Sequence, residues 1–227
     1  MRTKSILIFT LLAGMLTACN LPSPTTVIPT ETAIPPTPIQ LFPTPSSLPT
    51  EIIPPTAIPL PPEQAVLARA GEVIQALKNK DMLSLAGYVH PVDGLRFSPY
   101  AYVKSTDLVF PSSQIPGLMS DSTLFTWGIY DGSGLSIDMT FTEYYAQFIY
   151  DVDFANAPQV AVNERIGKGN SIDNSLDFYP GAMIVEYHFP GFEAQYQGMD
   201  WRSLRLVFMD YNNTWYLVGI IHDQWTI

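Results

Sequence analysis

The chain has 227 residues, with 11 basic and 21 acidic side chains, a formal charge of −10 and a single cysteine. No cluster of lysine and arginine interrupts that acidity, which excludes nucleic acid and anionic lipid headgroups as partners recognised by charge. One thiol also excludes an intramolecular disulfide, so any exported domain must hold by its core alone.

In chain order, Arg2 and Lys4 precede an apolar run from Ile6 to Leu16, and the small residues Thr17 and Ala18 follow. Those are the three parts of a secretory signal peptide, predicted here for residues 1–18. The run is shorter than the ~20 residues of a spanning helix. Leu16-Thr17-Ala18-Cys19 resembles the lipobox of bacterial lipoproteins. The resemblance implies cleavage before Cys19 and a diacylglyceryl thioether on its sulfur, with acyl chains such as palmitate. Two chains hold a protein at a bilayer where one does not. The expectation is a lipoprotein kept outside the cytoplasm, its partner the lipid bilayer through Cys19.

Residues 19–62 form the second region. Fourteen of the 21 prolines lie between residues 20 and 62, mixed with threonine. Proline fixes φ and removes donors, so neither helix nor sheet propagates. Polyproline II at ~3.1 Å per residue gives a reach of about 130 Å. The segment reads as a stalk, with a ligand for proline-binding modules as the alternative.

Residues 63–227 are long enough for one core. Val66, Ala70, Val73, Ile74 and Leu77 recur at helical spacing after Pro61-Pro62. Asp81 reads as the N-cap of a second helix that His90-Pro91 stops. Leu95–Phe97 is a short predicted strand. The loop-rich middle ends at Thr140-Phe141-Thr142-Glu143, a capping box ahead of a third helix through Ile149. The period then changes to two, predicting strands over 160–165, 182–189, 204–209 and 215–221, the last two as a hairpin. Helices segregated from a largely antiparallel sheet define α+β.

The closing segment "LRLVFMDYNNTWYLVGIIHDQWTI" and the early "KNKDMLSLAGYVHPVDGLRF" resemble NTF2-like and SnoaL-like domains; the whole domain is also similar to uncharacterised exported bacterial proteins. Trp215, His222, Trp225 and Thr226 carry the first match. The resemblance implies N-terminal helices packed on a curved, mostly antiparallel sheet that encloses a conical pocket. It further implies binding of a small ligand or protein partner, and homodimers through the sheet. Some relatives are isomerases or dehydratases, so a small acid–base enzyme, isomerase or hydrolase, is one alternative. A structural protein of the envelope is the other.

Candidate chemistry is sparse. Glu186 and His188 lie two apart on one predicted strand and share a face, with Arg205 within reach if pairing brings it opposite. Such a trio could perform acid–base work, or be a salt-bridged outer face. His222 reads as an inward residue on the face of Val218, Ile220 and Gln224. The catalytic candidates are therefore His222, His188 and Glu186, and the ligand-binding candidates His222, Gln224, Arg205, Trp127, Tyr130 and Tyr88. His90, His188 and His222 show no metal-ligand spacing, so neither metal nor cofactor is expected. His90 reads as a cation at a helix end. "DGSG" at 131–134 and "GKGN" at 167–170 read as turns.

Overall fold

The computed structural model describes residues 60–226; the signal peptide, Cys19 and nearly all of the proline-rich segment lie outside them. Helix α1, Pro62–Lys78, starts on a proline at its first position and buries Val66, Ala70, Val73, Ile74 and Leu77. That apolar stripe is the one its spacing predicts. Helix α2, Met82–Tyr88, is capped by Asp81, whose side chain accepts from the Ser84 amide at 3.0 Å.

Strands β1 (Leu95–Ser98) and β2 (Val109–Phe110) follow, then the hairpin β3 (Phe125–Ile129) and β4 (Ser136–Met139). The capping box is present: the Thr140 hydroxyl accepts from the Glu143 amide, and Glu143 accepts from the Thr140 amide. It opens α3, Phe141–Tyr144, which runs into a π-turn over Tyr145–Ile149. Strand β5 (Gln159–Val162) and helix α4 (Ser175–Phe178) precede β6 (Met183–Phe189), β7 (Arg202–Tyr211) and β8 (Thr214–Gln224).

Six strands form one sheet in the order β2-β1-β8-β7-β6-β5. All pairs are antiparallel except β1 with β8. The domain is thus α+β with an antiparallel-rich sheet. Asn212 and Asn213, both at positive φ, turn β7 into β8. Consecutive left-handed residues match the twist of a tight hairpin.

The two faces of the sheet have different covers. Val185, Tyr187, Leu204, Leu206, Phe208 and Ile220 pack into the main core with α1, α2 and the aromatic middle of the chain. Ile184, Val207, Val218 and Ile221 form a second cluster on the other face, with Phe178 of α4 and Tyr179 just after it packed against it. Val218 belongs to this second face, not to that of His222 as its spacing suggests. Val207 pairs with Gly219 but Phe208 with Leu217, so Val218 is the extra residue of a bulge. Residues 97–140 are not a detached lid: Phe110, Ile115, Leu118, Trp127 and Ile137 are all core.

Candidate functional site

The register places Glu186 opposite Arg205, and Asp223 next along opposite Ser203. Arg205 donates from Nε to Glu186 at 3.1 Å and from Nη2 to Asp223 at 2.7 Å. Arg165 donates to the same Asp223 oxygen at 3.1 Å. Asp173 lies 3.8 Å from both guanidinium groups. Glu186 and Asp223 are at most 1% exposed. Burial alone would lower the Arg205 pKa, but Glu186, Asp223 and Asp173 outweigh it and hold the pKa above its ordinary value.

This is not the exposed outer face that a salt-bridged trio suggests. "GKGN" is part of a long excursion between β5 and β6 that folds over the cluster. A Cβ at Gly167 would collide with Ser203 Oγ and come within 2.7 Å of the Trp201 ring. Glycine there lets the backbone approach closely enough for the Ile166 and Gly167 amides to donate to Glu186 at 3.0 and 2.8 Å. With Ser203 Oγ at 2.6 Å and Arg205, four donors occupy this carboxylate. A carboxylate so saturated is no general base. Because Ser203 gives its proton to Glu186, His188 Nδ1, 2.8 Å from Ser203 Oγ, is the donor in that contact.

Burial chiefly, with the Arg205 charge beside it, pushes the His188 pKa down against the pull of Glu186 and Asp223. Asp173 and Asp151 sit below the usual aspartate range: burial pushes each up, but hydrogen bonds and neighbouring cations prevail. All three signs agree. The unfolded chain binds more protons at His188 below its ordinary ~6.5, and at the aspartates below ~4. Stability should therefore be flat between about pH 7 and 8 and fall in two stages on acidification. Urea midpoints across pH 8 to 3 test this, and His188→Gln should remove much of the upper stage.

His222 lies on the opposite face, paired with Leu204 and fully buried. Its Nε2 is 3.4 Å from Asp151 Oδ2, which also accepts from Arg202 Nε at 2.9 Å. Phe148, set by the π-turn, meets the imidazole edge-on at 5.7 Å. The sheet therefore separates His222 from Glu186, His188 and Arg205, and the three catalytic candidates do not form one centre. Gln224 lines an open groove with Asp151 and Arg202, but His222 does not. His90 Nδ1 lies 2.9 Å from the Asp93 amide nitrogen and 3.2 Å from the Asp93 carboxylate, so the ring is tied to the turn that follows α2.

Of the aromatic candidates, Trp127 is 1% exposed, stacks on Tyr144 at 3.9 Å and donates to the Met139 carbonyl. It is a core residue. Tyr88 lies under the Arg69 guanidinium at 5.0 Å. Tyr130 alone of the ligand-binding candidates lines a cleft of about 520 Å³ between residues 99–107, the β3–β4 hairpin and residues 170–172.

Tyr100, Tyr102, Tyr130, Lys104, Asp131 and Ile172 shape that cleft. Tyr100 and Tyr130 both rest on Phe148, at 5.8 and 6.4 Å between ring centres. Tyr100 Oη accepts from the Asp131 amide at 3.3 Å, leaving its own proton to donate. Burial raises the Tyr100 pKa, so the phenol stays neutral. Beneath, Asp107 accepts from Ser98 Oγ at 2.6 Å and from the Lys104 amide at 2.9 Å, fixing the 99–107 segment. Among the described residues, the Lys104 ammonium and Asp131 carboxylate make no hydrogen bond or ion pair. Sequence reasoning missed Tyr102, Lys104 and Asp131; the one local sign was "DGSG", whose turn forms the cleft wall. Among the described residues, no three His, Cys, Asp or Glu are placed to hold a metal ion, and no helix is long and apolar enough to cross a membrane.

No family model matches the chain, and no curated protein does. A solved structure named Rd1NTF2_05, in a multiply substituted form, is similar at 9% identity and a TM-score of 0.28, covering 70% of this chain and 96% of that one. The α+β description rests on the strands and helices above, not on that likeness.

Proposed function

We propose that the chain is a lipoprotein anchored outside the cytoplasm through Cys19, whose NTF2-like domain binds a small uncharged ligand in the tyrosine cleft and has no defined catalysis. The lipobox-like residues and the proline-rich stalk support the anchor. The cleft supports the binding role. Its volume falls in the about 300–1,000 Å³ of small-molecule sites, and its walls mix tyrosine, proline and isoleucine surface with polar side chains. Glu186, His188 and Arg205 are engaged in internal pairs instead.

Labelled palmitate should enter the full-length protein in its host and be absent from Cys19→Ser, which should move from the detergent to the aqueous phase. Equal partitioning of the two proteins would remove the anchor from this reading. Native mass spectrometry of the full chain from host membranes should show a retained uncharged mass that Tyr102→Ala releases. A ligand-free parent chain that also takes up nothing from a host extract would count against the cleft.

A second reading, an acid–base enzyme, draws on the Asp151–His222 pair at 3.4 Å. It is the weaker one, because the imidazole is fully buried and lines neither the cleft nor the groove beside Gln224.

A further inference from the structure

The cleft residues also bear on what kind of molecule would enter. We propose that it takes a neutral oligosaccharide, an inference that rests on reading the cleft as a ligand site. Three tyrosine rings and Pro99 offer apolar faces, and Phe148 holds two of the rings from behind. Part of the rim is open and apolar: Tyr102 is 50% exposed, Ile129 49% and Ile172 72%. The C–H face of a pyranose ring covers such surface, and aromatic side chains with polar tips suit a ligand that is apolar on one side and wet on the other.

The polar groups decide between ligand classes. Asp131 can only accept hydrogen bonds and Lys104 can only donate them. A flat hydrocarbon would cover both and satisfy neither, which costs their desolvation. An anion would meet Lys104 but also Asp131, on a chain of net charge −10. A cation would face Lys104. Hydroxyl groups donate and accept, so a polyhydroxylated ligand can offer donors to Asp131 and acceptors to Lys104 and the Tyr100 phenol without adding charge.

The test is saturation-transfer NMR and calorimetry on the full chain with an array of neutral oligosaccharides of glucose, N-acetylglucosamine, mannose and galactose. At least one should bind, with its ring protons saturated from the protein. Tyr102→Ala and Tyr130→Ala should each weaken that binding several-fold to about tenfold, the range for one lost aromatic contact. Asp131→Asn should weaken it several-fold, while Tyr196→Ala, at an exposed tyrosine outside the cleft, should not. Unfolding midpoints of the variants, matched to the parent, guard against loss of fold. Failure of the whole array, or binding indifferent to Tyr102 and Tyr130, overturns the saccharide assignment. If a synthetic peptide of residues 35–62 or a retained non-sugar mass occupies the cleft instead, the assignment fails while the ligand site stands. If nothing contacts Tyr102 or Tyr130, both fail.

Discussion

Replacing Arg205 by methionine is expected to cost about 3–5 kcal/mol of folding stability, because it strands Glu186 as a buried carboxylate without its cation and leaves Asp223 with Arg165 alone. Both are at most 1% exposed, so water cannot take the place of the guanidinium. Against a total of about 5–15 kcal/mol for a typical domain, that loss brings the protein close to unfolding. Arg205→Lys should fall between, since an ammonium keeps the charge but lacks the fork that reaches Glu186 at 3.1 Å and Asp223 at 2.7 Å together. Replacing Arg205, Glu186 and Asp223 together by apolar residues of similar volume should recover most of the deficit. Urea unfolding at pH 7 measures all three. A loss below about 1 kcal/mol for Arg205→Met would mean that the cluster relaxes into solvent and is not the buried unit described.

Trp127→Ala should cost about as much, about 3–5 kcal/mol, through a different mechanism. The indole is fully packed between Tyr144, stacked at 3.9 Å, and the rings of Phe97, Phe110, Phe125 and Phe141. Truncation leaves a cavity that five rings cannot all close, and it strips the Met139 carbonyl of its donor. Trp127→Phe should lose less, keeping much of the area but not the hydrogen bond. The two roles proposed for Trp127 diverge in this experiment. A stacking platform would lose ligand with the fold intact, whereas the packed indole loses near-ultraviolet dichroism and unfolding midpoint together.

The helices and central strands were legible because their signals are local. The stripe from Val66 to Leu77, the Asp81 cap, the Thr140–Glu143 box and the alternation through β6 to β8 each decide a structure within a few residues. The shared face of Glu186 and His188 followed from strand periodicity alone, whereas Arg205 joined it only through the register of β6 with β7. What lies over that face did not. Its cover comes from residues 163–178, whose glycines and serines look like any turn until Gly167 is seen against Ser203 and Trp201. His222 was placed inward correctly, but its partner Asp151 lies 71 positions earlier, in a stretch that carries no period. The cleft was illegible for the same reason. Tyr100, Tyr130 and Ile172 come from three loops, brought together only by the folded chain.

The pairing of β1 with β8 has a kinetic consequence. Arg96, Phe97 and Ser98 find their partners at Gly219, Ile220 and Ile221, and β8 lies inside the sheet between β1 and β7. The sheet cannot close until residues 214–224 have been synthesised, and contacts so distant in sequence make closure slow. A nascent chain lacking its last hairpin strand has two open edges, on β1 and β7, and no settled core.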